Sequence, residues 1–412
     1  MAERVMVQAV IFDLDGTLVA TDRYWPDAAR AGALRAFKDL GWDRDLPDGS
    51  VWMGMVGQPL EEAFEAAFPE LAAADRKHLL DCCVEEEHRL LDEGRAGLLP
   101  GVIETLKQLD GMGVPMGVAS NCSQGYLDAL LGGLGLSKWI REARCLDSPG
   151  ISNKAGMIAD LLLTFGTRHA VMVGDRQGDR DAAWANGLPH VHLYRGYAQW
   201  GESVSAEATI AGIDCLPEIL VRRARAIDHV LSRLEVPGGA ATIGVLGRRC
   251  SGVRDLARDV ALGLKAMGRE VHFLDGYGWL RDPGEVAEQD PGDPLVAVSE
   301  ALDLNQADLA LRAPLDEGSL RVVALPFGLH PSLLSSLERV IWADGTPEVR
   351  ERRLRAESFS LGGPHGMEWV RDQVWPLELA MTRAFPPSRL AHLTVDLSNA
   401  LEPRVALAPG PD

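Results

Sequence analysis

The chain has 412 residues, 46% of them hydrophobic and 25% charged, with a formal net charge of -19. That length predicts two or three soluble globular domains, each able to bury a sizeable core. The acidic balance argues against nucleic acid or an anionic membrane as a bulk partner, although a local metal or lysine can still hold an anionic metabolite. The six cysteines (Cys82, Cys83, Cys122, Cys145, Cys215, Cys250) form no C-x-x-C pair and no zinc-like cluster with histidine, which reads as free thiols in a reducing compartment. Without a signal-like N-terminus or a bilayer-length apolar run, the expected location is cytoplasmic.

The first element is an apolar run, Val7 to Phe12, read as a buried strand. It ends in Asp13 and Asp15, followed by Gly16, Thr17 and Leu18. Residues two apart on a strand point the same way, so both carboxylates can face a pocket at its carboxyl end. Two like charges that close need a cation or a proton between them. An Asp-rich turn is the bland alternative, and the D-x-D-G-T-L context at a strand end argues against it. F-D-L-D-G-T-L resembles the first motif of the haloacid dehalogenase superfamily in its phosphatase form.

Residues 20–97 read as mainly helical, with helices at Ala28–Leu40 (stopped by Gly41), Leu60–Phe68, Leu71–Leu80 and Val84–Leu91. In the superfamily such an insertion is a mobile helical cap, and Gly57-Gln58-Pro59-Leu60-Glu61-Glu62 resembles the cap turn of phosphoglycolate-phosphatase-like members. Trp25, Trp52, Met53 and Met55 are candidates to face the pocket, with filling of the cap core the favoured alternative for each. Leu99-Pro100-Gly101 then restarts the core. A helix is expected at Val102–Leu109 and a strand at Pro115–Ala119, ending in Ser120-Asn121. These match the second motif, with Ser120 donating to a phosphate oxygen; the alternative is that the pair caps the helix Tyr126–Leu131.

Lys154, at an expected helix start, corresponds to the third motif's lysine, which neutralises phosphate and nucleophile charge; Ala155 stands where the family usually has proline. Ala170–Val173 is another short strand, running into Gly174-Asp175-Arg176-Gln177-Gly178-Asp179, the fourth motif. Few carboxylates combined with phosphate oxygen and water suit Mg2+. Tyr194–Tyr197 and Ala208–Leu220 resemble the closing strand and final helix of this core. The resemblance spans about residues 1–225 and implies a magnesium-dependent phosphatase. The resemblance implies that Asp13, Asp15 and Lys154 are catalytic and that Thr17, Ser120 and Asn121 bind substrate. The same resemblance implies that Asp13, Asp15 (through its backbone carbonyl), Asp175 and Asp179 hold the metal, Asp179 either as a direct ligand or through a metal-bound water.

Arg222 to Pro237 reads as a charged helix closed by Gly238-Gly239 turn signals, a domain boundary. Strand Thr242–Leu246 leads into Gly247-Arg248-Arg249-Cys250-Ser251-Gly252-Val253-Arg254. This resembles the phosphate-binding loop of uridine-kinase-like P-loop kinases with its last two residues changed: Val253 stands for the lysine and Arg254 for the metal-holding hydroxyl. A helix to Met267, strands Glu270–Leu274, Arg321–Leu325 and Val340–Ala343, the lid-like Glu348–Arg355, and Asp275 as the base position continue the likeness. A valine removes charge where phosphoryl transfer needs it, so no normal kinase activity is expected. The favoured reading is a degenerate domain kept for packing, cap support or dimerisation, the last of which would make the protein a homo-oligomer through this domain.

The expected fold is α/β, a Rossmann-like parallel sheet with an inserted helical cap, followed by a second α/β P-loop-kinase-like domain. The expected boundaries are 1–19 and 98–225 for the core, 20–97 for the cap, 226–239 for a linker and 240–412 for the second domain. The expected substrate is a small phosphorylated metabolite, with a sugar or cyclitol phosphate favoured. The alternatives are a phosphomutase on the same core and a bifunctional phosphatase-kinase.

Overall fold

A computed structural model describes residues 5–199, 201–202, 204–281, 293–326, 330–357 and 364–407. The outermost residues of the expected domains, 1–4 and 408–412, lie outside that set. The chain divides into two compact units, Met1–Leu220 and Val221–Asp412.

The first unit is built on β1 (Ala9–Phe12), the centre of a parallel sheet. Four consecutive apolar residues with both faces covered make β1 a buried strand rather than an alternating one. After β1 the chain makes a helical layer: α1 (Trp25–Asp39), α2 (Gly49–Met55), α3 (Leu60–Ala67) and α4 (Ala73–Asp92). It then returns through α5 (Val102–Gly111), β2 (Met116–Ala119), α6 (Gln124–Gly133), β3 (Ile140–Arg144), α7 (Lys154–Phe165), β4 (Ala170–Gly174), α8 (Gln177–Ala185), β5 (His190–Leu193) and β6 (Ala208–Ile210) to α9 (Leu216–Arg233). The sheet order is β3-β2-β1-β4-β5-β6. Phe12 is level with Val118 on one side and Val173 on the other, so three neighbouring strands end together. Met157, Ile158 and Leu161 of α7 pack with Ala9, Ile11 and Met172 beneath those ends.

The helical layer leaves and rejoins the core at one place. Val19 pairs antiparallel with Leu98, Ala20 N–H donates to the Gly97 carbonyl at 2.9 Å, and Leu99 N–H donates to the Leu18 carbonyl at 3.0 Å. Within the layer α4 lies along α1 so closely that a Cβ on Gly32 would be 2.4 Å from the Cys83 Cα. Trp52, Phe64 and Phe68 form its aromatic cluster, with ring centroids 5.8–6.2 Å apart.

Several expectations are corrected. The helices expected at Leu71–Leu80 and Val84–Leu91 are one helix, α4: Cys82 and Cys83, weak helix formers, are buried against α1 and tertiary packing overrides propensity. The helix cap ahead of Tyr126 is Ser123, whose hydroxyl accepts from Tyr126 N–H at 3.4 Å, rather than Ser120-Asn121. Tyr194–Tyr197 is a turn following β5 rather than a strand. The unit boundary falls between Leu220 and Val221. Of the expected linker 226–239, residues 226–233 continue α9, with Ile227 and Val230 fully buried.

The second unit has its own sheet: β7 (Ala241–Gly247), β8 (Val271–Asp275), β9 (Leu320–Pro326), β10 (Arg339–Asp344), β11 (Leu393–Asp396) and β12 (Arg404–Leu407). Their order is β12-β11-β10-β7-β9-β8, parallel except for β12. Its helices include α10 (Val253–Ala266), which follows the glycine-rich loop after β7, α11 (Pro294–Ala301), α12 (Leu304–Arg312), α13 (Pro331–Leu334) and α14 (Pro347–Ala356). They continue with α15 (Pro364–Trp369), α16 (Trp375–Ala384) and α17 (Pro387–Leu390). No helix among the described residues is long and apolar enough to cross a membrane.

Candidate active site

The shared end of β2, β1 and β4 brings Ser120, Asp13 and Asp175 together, one from each strand. α7 begins at Lys154, capped by Asn153, whose side chain accepts from Gly156 N–H at 2.9 Å. The ammonium of Lys154 donates to Asp13 Oδ1 and to Asp179 Oδ1, both at 2.6 Å, with all three residues buried. Asp179 is fixed in turn by the Arg176 amide, which donates to its Oδ2 at 2.9 Å. Asp175 Oδ1 accepts from the Thr17 hydroxyl at 3.2 Å and Oδ2 from the Tyr197 amide.

Two glycines make this crowding possible. A Cβ on Gly174 would lie 2.4 Å from the Asp179 carboxyl carbon, and one on Gly196 only 2.0 Å from the Asp175 Cβ.

Three carboxylates share one ammonium. Burial pushes Asp13 well above the usual carboxylate range and the Asp179 charge pushes it further, against the pull of Lys154. Burial, then Asp179, raises Asp175 to about 7. Asp179 is also buried, but its pairing with Lys154 outweighs burial and holds it below the usual range. Burial alone would lower Lys154; Asp13 and Asp179 more than reverse it and keep it charged.

The cluster fits a hard divalent cation. One oxygen from each of Asp13, Asp175 and Asp179 lies within 4.8 Å of the others, and Asp13 Oδ2 is buried with no hydrogen-bond partner.

Asp15 has a different environment two residues away. Its Oδ1 accepts from the Thr21 hydroxyl at 2.5 Å and from the Tyr126 hydroxyl at 2.6 Å, and Tyr126 is hydrogen-bonded to Tyr24. Burial raises its pKa, and the two hydroxyls restrain the rise. The side chain of Asp15 is therefore held apart from the Asp13, Asp175 and Asp179 oxygens.

A cavity of about 840 Å³ is bounded by Asp15, Ser120, Asn121 and Lys154 from the core and by Gly57 to Glu62 of the helical layer, while Asp13, Asp175 and Asp179 lie outside its wall. Thr17 is buried on Asp175 and is not part of its wall. Asn121 donates to the Gly57 carbonyl at 3.1 Å, and Arg176 to the Val56 carbonyl, so two core side chains hold the helical layer by one loop. Trp25 lines the cavity, while Trp52 is packed in the aromatic cluster. Sequence reasoning missed Thr21, Tyr24, Glu87, Tyr126, Gly196 and Tyr197 as site residues. Thr21, six positions after Asp15, and Tyr126, five after Asn121, stand near a motif.

The family model of haloacid dehalogenase-like hydrolases matches residues 7–187. The phosphoglycolate phosphatase of Photorhabdus laumondii is 29% identical over 225 residues, covering 52% of this chain and 91% of that protein. A plasmid-borne phosphoglycolate phosphatase of Cupriavidus necator is 30% identical over 219 residues, covering 52% and 92%. Among solved structures, a predicted phosphoglycolate phosphatase from Haemophilus somnus is similar at 21% identity, covering 52% of this chain and 98% of that one, with a TM-score of 0.46.

Proposed function

This chain belongs to the haloacid dehalogenase-like hydrolases, and on that premise we propose that its first unit hydrolyses a small-metabolite phosphomonoester through an aspartyl-phosphate on Asp13. It is a phosphoric monoester hydrolase. The observation that carries the residue roles is the contrast between two neighbouring carboxylates. Asp13 is held by Lys154 with its other oxygen unpartnered, and Asp15 is held by two hydroxyls in a buried setting that favours its protonated form.

In the proposed sequence Asp13 attacks phosphorus, and the bond from phosphorus to the alcohol oxygen breaks as Asp15 gives that oxygen its proton. Asp15, now a carboxylate, takes a proton from water as the water attacks the phosphoryl group, releasing phosphate and restoring Asp13. Ser120 and Asn121 are assigned to substrate binding, while Thr17, expected there too, is buried and is assigned instead to holding the Asp175 carboxylate. Lys154 offsets the charge that gathers on the phosphoryl oxygens. Asp13, Asp175, Asp179 and the backbone carbonyl of Asp15 are assigned to a Mg2+ ion, which when bound supplies charge neutralisation and polarises a phosphoryl oxygen.

The substrate favoured is a sugar or cyclitol phosphate, with phosphoglycolate, for which the relatives are named, as the comparison. Phosphate release with Mg2+ from a panel of sugar, cyclitol, nucleotide and short-acid phosphates tests the reading, with Asp13→Asn run alongside. The variant is expected to fold and to release no phosphate; substantial turnover by it would sink the mechanism.

For the second unit the proposal is a degenerate phosphate-binding loop without kinase activity. Three observations support it. Val253, at the lysine position, is buried. Arg254 is bound to Asp275, the base position. The Arg249 amide in the loop donates to Glu378, itself paired with Arg350 at 2.7 Å. A carboxylate on that amide competes with any phosphate. ATP turnover that depends on Asp275 and survives Asp13→Asn would refute this part.

A further inference from the structure

We infer that Glu87 selects the alcohol part of the substrate by hydrogen-bonding the hydroxyls of a small polyol phosphate, within an acidic wall that disfavours carboxylate-bearing esters. The inference rests on the proposed phosphatase reading of the first unit and adds to it a specificity residue contributed by α4.

Glu87 lines the same cavity as Asp15, Ser120 and Lys154. Only 5% of it is exposed, and it makes no hydrogen bond or ion pair among the described residues. The other buried positions of its helix are Leu79, Cys82, Cys83 and Leu90, a sequence of core side chains that a carboxylate interrupts. A buried carboxylate without a partner is costly, and natural chains keep few of them. Facing a cavity, it is suited to a group that arrives with the ligand.

The charges around it decide which group. Among the described residues lining the cavity the one ammonium or guanidinium is that of Lys154, already shared between Asp13 and Asp179. The other charged lining residues are Asp15, Glu61, Glu62, Asp147 and Asp181. A ligand with a second carboxylate would bring like charge into a wall that has no cation free to meet it.

A hydroxyl both donates and accepts, so it suits Glu87 whether or not that side chain carries a proton. Burial, and next the charge of Asp15, push the Glu87 pKa well up, which makes that indifference useful. Trp25, Leu60, Leu80 and Val84 supply apolar wall for the C–H faces of such a ligand.

Glycerol 3-phosphate and 3-phosphoglycerate differ by a hydroxymethyl against a carboxylate, and they separate the possibilities. Their binding would be measured by calorimetry with Mg2+ and the full chain carrying Asp13→Asn, so that neither ester is consumed. Glycerol 3-phosphate is expected to bind at least about tenfold tighter. Adding Glu87→Leu should bring the two within about threefold by weakening the polyol. Adding Glu87→Gln, which keeps a hydrogen-bonding group of the same shape, should retain most of the preference. Tighter or equal binding of 3-phosphoglycerate, a preference untouched by Glu87→Leu, or no binding of either ester would overturn the assignment. Phosphate release by the unmodified chain is read separately. Silence across the panel together with the expected binding preference would overturn the phosphatase reading and leave the role of Glu87 standing.

Discussion

Gly196→Ala should disable the proposed metal site without touching any residue that could bind a metal. Its added Cβ would lie 2.0 Å from the Asp175 Cβ and 2.4 Å from Asp175 Oδ2, about 1.4 Å short of the 3.4 Å at which ordinary contact begins. Gly196 has no left-handed φ, so the effect is steric alone. Asp175 is fully buried and tethered by Thr17 and the Tyr197 amide, so it has no open side to move into. A displacement of about 1 Å at a reacting centre costs on the order of 100-fold in rate, and overpacking of this kind costs about 1–3 kcal/mol in stability. The assay is steady-state phosphate release across a Mg2+ titration, with denaturant unfolding in parallel. The expected result is kcat/KM lower by about 100-fold and a higher Mg2+ concentration for half-activation. Gly132→Ala, on α6 with nothing within 4 Å of the added carbon, serves as the control. Activity within about threefold of the unmodified chain at every Mg2+ concentration would refute the steric argument.

Further outcomes follow from the same geometry. Gly32→Ala should loosen α4 from α1, because its Cβ would meet the Cys83 backbone at 2.4 Å. A loss of about 1–3 kcal/mol should appear as faster amide exchange in residues 73–92 with β1 unchanged, and equal protection in both would count against it. In the second unit, burial pushes Glu378 from 4.5 up to about 7 despite its bonds from Arg350 and the Arg249 amide. Between those pH values the folded state holds a proton that the unfolded state has released. Stability of that unit therefore falls as pH rises through the window, by roughly 3 kcal/mol in all. Glu378→Gln should flatten the slope in amide exchange of β7, and an unaltered slope would show that another group sets it. Tyr126→Phe removes one of the two hydroxyls on Asp15 and should lower kcat by about tenfold or more with little change in KM; a KM effect alone would mean that Tyr126 acts on binding.

The residues that could be read from the sequence share one property: each has its signal in the few residues just before it. Asp13, Ser120 and Asp175 end strands, and the pattern of a short buried strand survives without knowledge of its neighbours. Lys154 starts a helix whose cap, Asn153, is adjacent in sequence. The missed residues are defined by partners far along the chain. Tyr126 meets Asp15 across 111 positions, and its helical context hides that use. Glu87 reads as one more solvent-facing acid in a helix rich in them, because burial against a cavity has no local signature. β5 went unread since His190 and His192 interrupt the apolar pattern, although both are buried. The break expected near 225 lies within a few residues of the division between Leu220 and Val221, and the charged helix read there is the second half of α9. The Gly238-Gly239 turn signals are real, but α9 runs on before them with its buried face intact. In the glycine-rich loop, the substitutions at Val253 and Arg254 were visible as letters, while the carboxylate of Glu378 on the loop amide belongs to a helix 129 positions away.

The paired crossing at Val19 and Leu98 has a consequence for how such a chain can diversify. Its two strands leave and return one ladder rung apart, so the segment between them can change length or be exchanged without re-registering the sheet that carries Asp13, Ser120 and Asp175. Yet Thr21, Tyr24 and Glu87 lie inside that exchangeable segment, and Tyr126 lies outside it. An exchange would replace half of the setting of Asp15 together with the wall that meets the alcohol. On the proposed roles of Asp15 and Glu87, substrate choice and the strength of the proton donor would be inherited as a single module, and a new segment would have to satisfy Tyr126 and Asp15 before any new substrate could be turned over.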